Sequence, residues 1–440
     1  MKLQNQTCAR LLLTLIAIFS TRVCAGGSVN HIFGDPRSVQ RAPQRIYHVQ
    51  NYRLVLHFDE LKDEVFGDEV VTLEPLIGGF NRFYLDSTGL TIDAVTLEKN
   101  GGHDISLPFE MEDPRLWISL DRFYGPQDRL SVRIIYHGVP RTGLFFVNPN
   151  AAYAHWPREI WSQGEPEFNH YWFPCWDYPN DMSTSEVIAT VPDGQSVLSN
   201  GRLVKVTHQA GRTTYDWVES LPHSSYLTSI AVGPWRKVAD HEGALPVDYY
   251  VPRSVDVATA RRSFHLTPDM IGFYSRAFGV PYPYEQYAQV VVQNYPFGGM
   301  ENISATTLTA STLHAAGGEP ELSSQALVAH ELGQQWFGDL VQGRDWANIW
   351  LNEGFATYLE ALYTQYHDGN DAFRYEMWQD QLAAERQDRE DYLRPIVDLE
   401  STDFAEGCAT SRRSVSGIEG MGCAAEGLDF SLPGETQGLR

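Results

Sequence analysis

Two short stretches decide the fold of this chain: His330-Glu331-Leu-Gly-Gln334-Gln-Trp-Phe-Gly and, further along, Leu-Asn-Glu353-Gly-Phe. In the pattern H-E-x-x-H, two histidines four residues apart lie on one face of a helix and bind a single zinc ion, while the glutamate between them activates the zinc-bound water. His330 and Glu331 fit this pattern, but Gln334 stands at the second histidine position. Glu353 follows nineteen residues later, where a glutamate from a second helix would complete the site. The sequence therefore predicts a zinc-binding helix pair with one altered ligand position.

Apolar residues around this motif recur with the spacing of a helix. Leu327, His330, Gln334 and Phe337 fall on one face of a helix that Ser323 or Ser324 would cap. The pattern after residue 255 predicts helices at 256–278, 324–337, 346–366 and 370–390, and a buried strand at 286–293.

Residues 45 to 235 alternate between apolar and polar side chains, as half-buried strands do. The run from Tyr52 to Phe58 and the run from Leu130 to His137 are examples, and turns such as Asn200-Gly201 separate them. We expect a multidomain α and β protein, with an antiparallel β-rich N-terminal domain at 45–240 and a mainly α domain at 245–404. The atypical stretch 405–440, rich in glycine and with Phe430 as its one aromatic residue, is expected to be a disordered or foreign tail.

The first 25 residues have the order of an export signal. Lys2 and Arg10 precede the apolar run Leu11 to Phe19, and small residues end the segment at Ala25. We expect periplasmic or extracellular location, with cleavage near Ala25. Lipid attachment at Cys24 is the alternative, although Arg22 before it fits poorly.

The composition of the chain excludes two classes of partner. A formal charge of −23 at pH 7 repels nucleic acid and anionic membranes. The apolar run near the N-terminus is shorter than the roughly 20 residues that a transmembrane helix needs, and no later run reaches that length. We therefore expect neither nucleic-acid binding nor a transmembrane span.

Further motifs carry a family resemblance. The segment Phe297-Gly-Gly299-Met-Glu301-Asn302 lies about thirty residues before His330, and Trp336-Phe337-Gly338 follows the motif helix. Together with Leu-Asn-Glu353-Gly-Phe, these residues resemble the gluzincin zinc aminopeptidases that include alanyl aminopeptidase, aminopeptidase N and leukotriene hydrolase, over roughly residues 45–400. The resemblance implies a thermolysin-like catalytic domain, one zinc ion, and peptides with a free N-terminus as substrates.

The resemblance also implies roles for seven residues. His330 and Glu353 would bind zinc, with Gln334 as a weak third ligand, and Glu331 would be the general base. Gly299 would pair with the substrate backbone, and Glu301 would hold the substrate α-amine. Glu165, in Ser162-Gln-Gly-Glu165, resembles the residue that brings a second acidic group to that amine. Two carboxylates around one ammonium select against blocked N-termini, which implies removal of single N-terminal residues.

Two departures from the family pattern put activity in doubt. An amide oxygen is a weak, neutral zinc donor, so Gln334 predicts a weakly bound ion. Gln335 lies on a neighbouring helix face and is not expected to replace the missing ligand. Family members also carry a downstream tyrosine that stabilises the oxyanion, whereas no tyrosine follows Tyr392 here. The rival hypothesis is therefore a catalytically impaired peptide-binding relic or truncated product.

Overall fold

The structure is a computed structural model that describes residues 42–99, 102–150, 153–318 and 322–390. The predicted export signal at 1–25 and the predicted tail at 405–440 lie outside these residues. Within the described ranges, no helix is long and apolar enough to cross a membrane.

The N-terminal domain consists of three sheets. Their strand orders are β13-β14-β11-β1-β2-β8-β4-β5, β12-β15-β10-β9 and β3-β7-β6. The pairing is antiparallel except between β1 and β11, which confirms the expected β-rich fold. The strands are β1 (Tyr47–Asp59), β2 (Glu64–Pro75), β3 (Phe80–Asp86), β4 (Leu90–Leu97), β5 (Ile105–Ser106), β6 (Phe109–Glu112), β7 (Arg115–Tyr124), β8 (Leu130–Gly138), β9 (Leu144–Val147), β10 (Glu159–Ser162), β11 (Ser183–Pro192), β12 (Ser196–Ser199), β13 (Arg202–Gln209), β14 (Arg212–His223) and β15 (Ile230–Gly233).

The second domain joins a five-stranded sheet to a group of helices. The sheet has the order β16-β17-β18-β20-β19, with parallel pairing of β18 to both β17 and β20. Its strands are β16 (Trp235–Glu242), β17 (Leu245–Pro252), β18 (Tyr287–Val292), β19 (Gly299–Met300) and β20 (Ala305–Thr309). The helices are α1 (Val257–Phe264), α2 (Thr267–Phe278), α3 (Gln325–Gln334), α4 (Glu353–Asp368) and α5 (Asn370–Glu390). The fold thus follows the expected order of a β-rich domain and a helical domain.

Three predicted helix boundaries were wrong. The single helix expected at 256–278 is broken between Phe264 and Thr267, because Pro268 fits the first turn of a new helix but not a helix interior. Helix α3 ends at Gln334 rather than Phe337, and the chain then turns through Gly338, whose φ of 147° disfavours a residue with a side chain. Residues 346–351 form a 3₁₀ helix, so α4 begins only at Glu353.

Helices α3 and α4 are held together at their backbones by Tyr274 of α2. Its ring is fully buried, and its hydroxyl lies 3.1 Å from the carbonyl oxygen of Ala329 and 2.9 Å from that of Leu359. One hydroxyl thus fixes the spacing of the two helices that carry His330 and Glu353.

We predict that Tyr274→Phe lowers the free energy of unfolding by about 1–2 kcal/mol, because phenylalanine has no hydroxyl to donate to the two helix carbonyl oxygens. Chemical denaturation followed by circular dichroism measures this. Tyr366→Phe is the matched control, since Tyr366 is 43% exposed and its hydroxyl lies 3.4 Å from Asp269. Equal stability of the two variants would contradict a role for Tyr274 in spacing the helices.

Candidate metal and peptide-binding site

His330 lies between two carboxylates of helix α4. Its Nε2 is 3.3 Å from Glu353 Oε2, and its Nδ1 is 2.6 Å from Glu360 Oε1. Burial lowers the pKa of His330, but Glu353 and Glu360 more than offset this and raise the pKa well above its ordinary value. Zinc-bound histidines usually have their second nitrogen held by a carboxylate in this way. Glu360 therefore fixes the ring of His330 with Nε2 directed at Glu353.

Gln334 contacts the same carboxylate from the next turn of helix α3. Its Nε2 donates a hydrogen bond of 2.9 Å to Glu353 Oε1, and the residue is only 1% exposed. Its Oε1 is buried and has no hydrogen-bond partner among the described residues. The structure thus brings His330, Gln334 and Glu353 together, as the motif spacing predicts.

This donor set fits zinc with one weak ligand. An imidazole nitrogen and a carboxylate are ordinary zinc donors, and here His330 and Glu353 supply them side by side. The third position is an amide whose N–H, rather than its oxygen, faces Glu353. A metal ion at this point requires the amide to rotate, because an N–H donor is repelled by a cation.

Glu331 lies against the backbone of strand β19. A Cβ atom added to Gly299 would fall 2.2 Å from Glu331 Oε1, so no residue larger than glycine fits beside this carboxylate. Glu331 is 4% exposed, and its Oε2 has no partner within the described structure. Burial raises the pKa of Glu331 well above its ordinary value, while the charge of His330 lowers it. A carboxylate with a raised pKa and a free oxygen can accept a proton from water.

Two further carboxylates, those of Glu165 and Glu301, converge on Glu353. Oxygen atoms of Glu165, Glu301 and Glu353 all lie within 4.8 Å of one another. Burial, followed by the charge of Glu353, raises the pKa of Glu301 to about 7. Burial also raises the pKa of Glu165 well above its ordinary value, with Glu301 as the next cause. The residues expected to hold an α-amine therefore form one acidic cluster with the expected metal ligand.

Three residues at the site received no role from the sequence analysis. Glu360 lies seven residues after Glu353 in α4, and this two-turn spacing was the signal that could have found it. Asn352 is 2% exposed and donates a hydrogen bond of 2.7 Å to Glu301 Oε1. Gln335, on the neighbouring face of the helix as expected, is fully buried and donates through Nε2 to the backbone oxygen of Glu301 at 2.6 Å. These three side chains position the groups that the motifs identify.

Comparison with known proteins gives this arrangement a family. Residues 48–227 match the Peptidase M1 N-terminal domain and residues 262–406 match the Peptidase family M1 domain. An M1 zinc metallopeptidase from Deinococcus radiodurans has the same fold, with a TM-score of 0.69 and 25% identity, over 88% of this chain and 85% of that one. A mutant of it bound to the substrate Tyr-Ser-Ala gives a TM-score of 0.67 at 25% identity over the same shares of both chains. The chain belongs to peptidase family M1, whose zinc metallopeptidases imply zinc as the cofactor.

Curated relatives are similar over part of their length. Probable aminopeptidase 1 of Sulfurisphaera tokodaii is 26% identical over 71% of this chain and 38% of its own length. Aminopeptidase N of Canis lupus familiaris is 30% identical over 44% of this chain and 21% of its own length. The chain thus spans well under half of these relatives.

We predict that Gly299→Ala lowers the free energy of unfolding by about 1–3 kcal/mol, because its Cβ collides with Glu331. Gly125→Ala is the control, since nothing lies within 4 Å of a Cβ there. In the double variant Gly299→Ala/Glu331→Ala, part of the loss should be recovered, because the truncated side chain leaves room. Strictly additive losses in this double-mutant cycle would show that the two residues do not constrain each other.

Proposed function

We propose that this chain is a metallo-aminopeptidase that hydrolyses the first peptide bond of substrates with a free α-amino group. One observation carries this proposal: the Glu165–Glu301 carboxylates lie within 4.8 Å of Glu353, which itself contacts His330. A subsite for an ammonium group therefore adjoins the position for a metal. A substrate whose α-amino group is bound there would have its first peptide bond next to the metal position and Glu331.

Each described group has a part in this proposal. A zinc ion held by His330, Glu353 and the Gln334 oxygen would polarise the substrate carbonyl and activate water. Glu331 accepts the proton of the attacking water, and its closeness to Gly299 places that base along the substrate backbone. Strand β19 ends its sheet within the described structure, so its outer edge is open to pair with an extended peptide.

A second candidate function is peptide binding without efficient hydrolysis. The hydrogen bond from Gln334 to Glu353 favours it. Through this bond the carboxylate expected to bind the metal already has an N–H of the protein as its partner. The amine-binding carboxylates do not depend on that contact, so a free N-terminus would still be bound. Metal content and hydrolysis distinguish the two functions.

We predict that the purified chain holds less than one zinc ion per molecule and that Gln334→His raises its zinc affinity by about 10-fold or more. Metal analysis after mild chelation measures this, and unchanged zinc content would place residue 334 outside the metal site. Hydrolysis by this variant should be confined to unblocked amino-acid amides, since Glu165 and Glu301 bind an ammonium. Equal cleavage of acetylated substrates would reject the aminopeptidase proposal.

We also propose that the protein is exported and that its signal is removed near Ala25, which the order of charged, apolar and small residues before that point supports. N-terminal sequencing of protein recovered outside the cytoplasm should begin just after Ala25. An intact Met1 in the exported protein would reject cleavage, and a lipid on Cys24 would favour the alternative anchor.

A further inference from the structure

We propose that Gln342 positions Asn352 through one enclosed water molecule that is hydrogen-bonded to both side-chain amides. Gln342 lies in the loop between α3 and the 3₁₀ helix 346–351, outside the motifs that identify the site. Because Asn352 contacts Glu301, we expect Gln342 to act on binding of the substrate amine. Only this last effect rests on the proposed function, since the water and its two partners are properties of the fold.

Gln342 is fixed at both its backbone and its side chain. The loop that carries it is tied to the end of α3, because the N–H of Val341 donates to the carbonyl oxygen of Trp336 at 3.0 Å. The Nε2 of Gln342 donates to two groups of the N-terminal domain, the carbonyl oxygen of Pro179 at 2.7 Å and Ser224 Oγ at 2.6 Å. A half-turn of the amide would place its oxygen against the carbonyl oxygen of Pro179, so these bonds fix Oε1 on the opposite side.

Asn352 also uses its amide nitrogen and leaves its oxygen for another partner. It occupies the N-cap of α4, where the side-chain oxygen of an asparagine ordinarily accepts a hydrogen bond from the helix, but its side chain makes no such bond. Its Nδ2 donates to Glu301 Oε1 at 2.7 Å. Its Oδ1 faces Gly338, since a Cβ atom added to that glycine would lie 2.5 Å from this oxygen. Glycine at position 338 thereby leaves space beside the Asn352 carbonyl.

A small cavity adjoins both amides. It has a volume of about 10 Å³, and its lining includes Gln342, Asn352 and Gly338, together with Tyr226 and Trp346. Within the described residues, Oε1 of Gln342 and Oδ1 of Asn352 are both buried and have no hydrogen-bond partner. Because a buried carbonyl oxygen without a donor is unfavourable, two such oxygens on one cavity indicate a bound donor.

A single water molecule matches this cavity in size and in chemistry. An enclosed water needs a cavity of roughly 10–15 Å³ and at least two polar partners. Both orphan atoms are acceptors, and water carries two donor hydrogens. A divalent cation fits poorly, because it requires about six oxygen ligands, and the two oxygens here belong to neutral amides.

The water completes a hydrogen-bonded path from the N-terminal domain to the subsite for the substrate amine. Ser224 holds Gln342, and the water links Gln342 Oε1 to Asn352, whose Nδ2 faces Glu301. A half-turn of the Asn352 amide would bring Oδ1 against the Glu301 carboxylate, and two acceptors repel each other. By holding Oδ1 at the water, Gln342 keeps the N–H of Asn352 directed at the carboxylate proposed to bind the α-amine.

The first test is a high-resolution crystal structure of the full chain. We expect one water molecule at about 2.7–3.2 Å from both Gln342 Oε1 and Asn352 Oδ1. A cavity without this water, or with a metal ion in its place, would overturn the bridge.

The second test is a double-mutant cycle that needs no ligand. Gln342→Met keeps the length of the side chain but removes its amide. Combined with Asn352→Ala, it should change the equilibrium constant of unfolding by a factor that differs at least about threefold from the product of the single changes. Chemical denaturation measures this, and strictly additive effects would overturn the bridge.

Gln195→Met is the matched control for this cycle. Gln195 also donates through Nε2, to Glu60 at 2.9 Å, and its Oε1 is also buried without a partner in the described part of the chain. It does not line the cavity, so its combination with Asn352→Ala should be additive.

The third test measures binding of leucine amide to the full chain by isothermal titration calorimetry. We expect about fivefold weaker binding in Gln342→Met, which corresponds to the loss of one hydrogen bond, and a change of less than about twofold in Gln195→Met. Circular dichroism checks that each variant is folded. Equal affinity of Gln342→Met and the wild type would overturn the positioning role. Failure of the wild type to bind leucine amide would reject the amine subsite of the proposed function, whereas the first two tests decide the water bridge independently.

Discussion

Several glutamate side chains are packed around His330, and their mutual repulsion dominates the electrostatics of the site. Glu353 and Glu360 contact this imidazole, and its charge also acts on Glu331. An oxygen of Glu301 lies within 4.8 Å of one of Glu353. Bringing carboxylates this close costs free energy unless they are protonated, hydrogen-bonded or joined by a cation. Burial raises the pKa of Glu301 to about 7 and the pKa of Glu331 well above its ordinary value, and protonation of these carboxyls lowers the repulsion. A bound metal or ammonium group would lower it as well.

The scaffold maintains this unfavourable arrangement through neutral hydrogen bonds. Gln335, at the end of α3, donates through Nε2 to the backbone oxygen of Glu301. Its Oε1 accepts hydrogen bonds from the backbone N–H of Ser304 and from the hydroxyl of Tyr282, both at 2.9 Å. The N-terminal domain contributes too, because Gln293, just after β18, donates its N–H to Glu159 at 2.8 Å. Burial raises the pKa of Glu159 to about 7, and the N–H of Gln293 partly offsets this by favouring the ionised carboxylate. These hydrogen bonds connect α3 and the end of β18 to the elements that surround the site.

The sequence predicted the parts of this site that follow from fixed spacing. One helical turn relates His330 to Gln334, and the motif after it brings in Glu353, so these contacts follow from the pattern. No spacing rule assigns a contact to Asn352, yet it is buried against Glu301, because the burial of a single amide depends on tertiary packing. The break before Thr267 was missed for a local reason, since Pro268 is compatible with both a helix start and a loop. The approach of Glu165 to Glu301 joins distant segments of the chain. It depends on how the sheets pack, so no periodic pattern in the sequence predicts it.

Gln334 shows how one substitution changes a site whose remaining geometry is intact. A histidine at this position would present a nitrogen lone pair to the metal, whereas glutamine presents either an N–H or a weaker oxygen donor. With the N–H inward, the amide donates a hydrogen bond of 2.9 Å to Glu353 Oε1 and needs no metal to do so. With the oxygen inward, the amide would place a weak, neutral oxygen donor beside the carboxylate of Glu353. The orientation of this one amide therefore decides whether Glu353 contacts a protein N–H or lies beside a further oxygen donor.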